Sequence, residues 1–172
     1  MLMHVNAKKI ATAVLLAAFS AVLIVLASVI ESRSLFFIAA ASFCVGIALR
    51  EWGIGLGAGY LVASTLVNLI VSPNKFYCWT FAAMGLYLLL VELFWKRTKH
   101  RTVALWVFKY VIFNCMYLPA LVFFQELFFT KKITGILWIV VLLAGQAALF
   151  VYDEAYRYFQ RVIWGKLRGK LQ

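Results

Sequence analysis

Long apolar stretches alternate with short polar breaks along the whole chain. Residues 10–30, 35–49, 53–71, 76–94, 103–128 and 133–152 form six apolar runs. Most reach the ~20 residues that a helix rising 1.5 Å per residue needs to cross a ~30 Å hydrocarbon layer. The pattern predicts an all-α polytopic membrane protein: residues 1–152 as a bundle of six transmembrane helices, then a tail helix over 153–172. In that tail Phe159, Val162, Ile163, Leu167 and Leu171 recur at helical spacing, while Arg157, Arg161 and Arg168 take another face. Such a helix is amphipathic and suits the headgroup plane or a cytoplasmic partner. The run 35–49 is the shortest, and only Arg50 and Glu51 separate it from the next.

Charge orients the bundle. With the N-terminus inside, Lys8, Lys9, Arg50, Lys96, Arg97, Lys99, Arg101, Arg157, Arg161, Lys166, Arg168 and Lys170 are cytoplasmic. Outside lie Arg33, Lys75, Lys131 and Lys132, and Lys109 falls within a span. Twelve against four obeys the positive-inside rule and predicts both termini in the cytoplasm. Were 35–49 and 53–71 one crossing, every later loop would change sides. The cytoplasm would then hold only Lys8, Lys9, Lys75, Lys131 and Lys132. Charge therefore favours six crossings, with four crossings and a re-entrant hairpin as the alternative.

Composition agrees: 66% of residues are hydrophobic and 13% charged, too apolar for a soluble domain of this length. The net charge of +11 lies beside the spans, where anionic cytoplasmic lipid attracts it, so it points to a membrane surface and not to nucleic acid. The first run, with about 20 apolar residues, exceeds the 7–15 of a signal peptide and reads as an uncleaved span. Cys44, Cys78 and Cys115 lie singly in three runs, as small buried hydrophobes. The six tryptophans fall near span ends or in the tail, as an aromatic belt requires.

Within the spans, small and polar residues mark the contacts. Ala13, Ala17 and Ala21 form a stripe on the first span, suited to packing in the bundle or to docking another membrane subunit. Gly53, Gly55, Gly57 and Gly59 open the third and predict tight packing on the second. Glu92 and Lys109 sit at similar depth in the fourth and fifth spans, which a short loop joins as antiparallel neighbours. Unpaired, each would be costly in the bilayer, so the two are predicted to form an intramembrane ion pair, with a proton or ion relay as the alternative. Tyr110, Asn114 and Tyr117 share a face of the fifth span, with Gln146 of the sixth as a candidate partner. Pro119 is expected to kink that helix.

Three short loops face outward, around Glu31–Ser34, Ser72–Lys75 and Gln125–Lys132. They are either solvated turns or the rim of a ligand site. Asn74, Lys75, Lys131 and Lys132 are the candidates on that rim, with Asn68, Asn114 and Tyr117 below it. No Ser/His/Asp set, HExxH or Walker A sequence is present, and both histidines, His4 and His100, lie outside the spans. No catalytic residue, metal site or cofactor is predicted, and the chain reads as a non-enzyme.

Six spans with both ends inside, and Ala13, Ala17 and Ala21 at every fourth position of the first, resemble the substrate-binding S components of energy-coupling factor (ECF) transporters. The stretch from Arg50-Glu51-Trp52-Gly53 through Ser72-Pro73-Asn74-Lys75, then Gly85-Leu86-Tyr87, is similar to Gram-positive membrane proteins of that type. The resemblance implies a bacterial cell-membrane protein that captures a vitamin or similar small molecule at its outer face. It implies Ala13, Ala17 and Ala21 as the docking stripe for a transmembrane coupling subunit, driven by two cytoplasmic ATPases. Lys75, Lys131 or Lys132 would attract an anionic substrate. The competing expectation is a non-transporting scaffold, similar to the small multi-span proteins that determine rod shape.

Overall fold

A computed structural model of the chain describes residues 2–98, 102–123 and 136–164. These residues are helical apart from short turns, without a strand among them. Six long helices run in order: α1 (Leu2–Val29), α2 (Ser34–Trp52), α3 (Ile54–Val71), α4 (Lys75–Arg97), α5 (Thr102–Phe123) and α6 (Ile136–Tyr158). A single 3₁₀ turn, Glu31–Arg33, joins α1 to α2, and a π-helical segment, Phe159–Trp164, continues α6. Among the described residues five segments are long and apolar enough to cross a membrane: Lys9–Val29, Ser34–Trp52, Ile54–Val71, Lys75–Arg97 and Trp138–Val162. The apolar part of α5, Val103–Pro119, is shorter, with Pro119 inside the helix. The chain is a multi-pass helical membrane protein.

The short second run is a full helix. Its 19 residues rise about 28 Å, because the helix begins at Ser34 and carries Arg50, Glu51 and Trp52 at its end. Gly53 then breaks the chain with φ 86° and ψ 173°, a backbone region open to glycine alone. The second and third runs are therefore two helices and not one.

Contacts divide the chain into two compact units, Met1–Lys96 and Arg97–Gln172. In the first, α2 is central. Every residue from Ala41 to Leu49 is buried, because α2 packs on both α1 and α3, which also touch each other. Gly57 lets α3 approach α2 until an added Cβ would lie 2.7 Å from the Leu49 Cα. Gly85 of α4 leaves room in the same way for Leu61 of α3. Gly55 and Gly59 have no neighbour within 4 Å of an added Cβ. The tight packing expected of all four glycines is thus confined to Gly57; two residues away on a helix is about 200° of rotation, so its neighbours face elsewhere.

The core carries serines as well as apolar groups. Ser20, Ser42 and Ser64 are fully buried, and each hydroxyl donates to a carbonyl three residues earlier, at 2.9, 2.6 and 3.2 Å. Bonding back into the helix lets a small polar residue sit at a close helix contact without a free donor.

In the second unit α5 packs on α6. The predicted tail helix does not start anew at Asp153. That residue is 2% exposed and ion-paired inside the unit, and α6 runs through it to Tyr158 before widening into the π-helical segment. The predicted boundary at 152/153 thus falls inside one continuous helix, and residues 165–172 of the predicted tail lie outside the described residues.

Candidate functional site

At the end of α3 nearest the 72–75 loop, Ser64, Asn68 and Ser72 follow one another at every fourth position, all at most 2% exposed. The Asn68 carbonyl accepts the Ser72 N–H at 2.8 Å and the Cys78 thiol at 3.2 Å. Its side chain differs: neither Oδ1 nor Nδ2 has a partner among the described residues. Burying an amide without hydrogen bonds costs on the order of 2–7 kcal/mol. Asn68 is the one predicted ligand residue in this unit that is left with unused donors and an unused acceptor.

The two loop candidates beside it are engaged in building the turn. Lys75 Nζ donates to the carbonyls of Leu69 at 2.5 Å and Ser72 at 3.0 Å, closing the C-terminus of α3 with a cation where the helix end is negative. Asn74 Oδ1 accepts the Phe76 N–H at 3.1 Å at the start of α4, and the Ser72 hydroxyl donates to the Asn74 carbonyl at 3.0 Å. The loop is thus ordered by its own polar groups. Lys131 and Lys132 lie outside the described residues.

The α5–α6 seam gathers the other candidates. Gln146 Nε2 donates to Asn114 Oδ1 at 2.8 Å, and Asn114 Nδ2 donates to the Tyr110 carbonyl at 2.8 Å. The Tyr117 hydroxyl donates to the Val141 carbonyl at 2.9 Å, its ring resting where Gly145 has no side chain. The expected Asn114–Gln146 partnership is present. Asn114 and Tyr117 serve to hold the two helices together. Replacing Asn114 with leucine is expected to lower stability by about 0.6–2 kcal/mol, read from thermal unfolding in detergent; a change below that range would remove the seam's importance.

Glu92 and Lys109 fall in different units, and each has a partner inside its own. Glu92 meets Arg50 at 3.7 Å within the first unit, and Lys109 meets Asp153 at 2.6 Å within the second. The Lys109 and Asp153 side chains are only 6% and 3% exposed. Arg157 reaches the other Asp153 oxygen at 3.2 Å and also bonds Glu154. Lys109 and Arg157 both lie over the Trp106 ring, at 5.0 and 5.3 Å from its centre, and Trp106 stacks on Phe150. Depth alone suggested Glu92, but depth does not fix which way a side chain faces. Lys109 lies five residues before Asn114 and Asp153 seven after Gln146, so the ion pair and the Asn114–Gln146 bond both join α5 to α6.

The alanine stripe splits in two. Ala21 is 9% exposed and belongs to the core of its own unit. Ala13 and Ala17 line an open groove of about 770 Å³ between α1 and α3, with Leu56, Gly59 and Ala63 opposite and Lys9 and Trp52 at one end. Trp52 packs edge-on against Tyr60 at 6.1 Å.

Comparisons with protein-family models, curated proteins and solved structures give no match to this chain.

Proposed function

We propose that this protein is a membrane-embedded binding subunit of ECF-transporter type, capturing a small polar molecule from the outer side. The observation that carries the reading is Asn68, a wholly buried amide with both polar atoms unpartnered, one turn from the 72–75 loop. A guest with a donor and an acceptor would complete it. Capture would need movement of the loop, because Asn68 has no exposed surface. The protein would then work with a transmembrane coupling subunit and two cytoplasmic ATPases in a bacterial cell membrane.

Asn68→Leu separates binding from folding. Removing an unsatisfied buried amide for an apolar group of similar size is close to neutral for stability. The variant should unfold no earlier than the parent in detergent, yet lose any small molecule that mass spectrometry finds with the parent. Retention of that molecule by Asn68→Leu would end the reading.

A scaffold without transport is the second reading. It is favoured by Asn74, Lys75, Asn114 and Tyr117 all bonding within the chain. Isolation with cell-envelope proteins, and without ATPases, would support it.

A further inference from the structure

The groove between α1 and α3 has a charged mouth and an apolar depth. Lys9 and Trp52 stand at the mouth, followed by Ala13, Ala17, Leu56, Gly59 and Ala63. Among the described residues its lining holds one cation and no acid. The lining runs from Leu56 to Val67 along α3, about 16 Å. The groove is open along this length and apolar beneath its charged mouth, a shape that flexible acyl chains can fill.

Position agrees with charge. Lys9 begins the first membrane-crossing segment and Trp52 ends the second, so both sit at the level where basic side chains and indoles meet headgroups. Both lie on the side that the distribution of basic residues assigns to the cytoplasm. The cytoplasmic leaflet is the anionic one. A free phosphate would satisfy Lys9 but leave the apolar depth empty. A zwitterionic lipid would fill the depth but gain less from the lone ammonium.

We propose that this groove binds one anionic phospholipid of the cytoplasmic leaflet, its phosphate on Lys9 and its acyl chains along Ala13, Ala17, Gly59 and Ala63. The glycine at 59 is what keeps the floor open: a Cβ there has nothing within 4 Å, and a larger side chain would project into the space of the chains. The inference stands apart from transport and from Asn68.

The test uses the full-length protein in nanodiscs of equal phosphatidylglycerol and phosphatidylcholine, followed by native mass spectrometry of the lipid retained on release. One phosphatidylglycerol should stay bound, about fivefold in preference to phosphatidylcholine, as one lysine near a headgroup provides. Lys9→Gln should keep a bound lipid but even out the choice. Gly59→Leu should lose the lipid, with helical content unchanged by circular dichroism. If Gly59→Leu does not fold, the headgroup preference of Lys9→Gln decides alone. Equal retention of both lipids by the parent, or unaltered preference in Lys9→Gln, overturns the proposal. So does a groove-dependent dimer that Gly59→Leu abolishes while lipid retention persists.

Discussion

Replacing Asp153 with alanine is expected to destabilise the protein by about 3–5 kcal/mol, the loss that follows when one member of a buried ion pair is removed. The cause is Lys109, which is 5% exposed and would lose its nearest counter-ion. Arg157 worsens the loss, because it loses the same carboxylate and leaves two cations over one Trp106 ring. A double variant, Lys109→Met with Asp153→Leu, removes both charges and should recover most of the stability, since apolar replacements of a buried pair are often neutral or better. Reversible unfolding in mixed micelles measures both. If Asp153→Ala falls within about 1 kcal/mol of the parent, as exposed pairs do, the pair is not buried as described.

Gly57→Ala should be the most damaging glycine substitution among those at 57, 59 and 85. A methyl group there meets the Leu49 backbone, which cannot swing aside, and overpacking of this kind costs about 1–3 kcal/mol or more. At Gly85 the obstacle is the tip of the Leu61 side chain, which can change rotamer. Nothing stands near Gly59, so alanine there should stabilise the helix by up to about 1 kcal/mol. The order of the three unfolding temperatures is the measurement. A Gly57→Ala protein as stable as Gly59→Ala would mean that α2 and α3 are not in contact at Leu49.

Much of the architecture was legible because the bilayer imposes a length and a polarity on every crossing. Runs of apolar residues therefore mark helices almost directly. The second run was ambiguous because Arg50 and Glu51 look like a break, whereas they extend α2 and Gly53 is the break. Partnerships were harder to read, since they depend on rotation about each helix axis. Asn114 and Gln146 were matched correctly because they are polar groups at one depth in neighbouring spans. Glu92 and Lys109 met the same criterion, but it did not reveal the partner each has within its own unit. Asp153 was hidden by its surroundings: followed by Glu154 and Arg157, it looks like the start of a solvated tail. The split of the alanine stripe could not be read either, because four-residue spacing drifts around a 3.6-residue helix. Ala21 therefore turns into the core while Ala13 and Ala17 stay at the groove.

The Lys109–Asp153 bond also bears on how the protein is made. α5 offers only the apolar stretch Val103–Pro119 and carries Lys109 about 10 Å along its length. A lysine deep in a lone segment costs insertion up to about 2.5–3.5 kcal/mol. Its counter-charge is synthesised 44 residues later. The fifth helix is thus an incomplete membrane segment until the sixth leaves the ribosome, and the two would enter the bilayer as one hairpin.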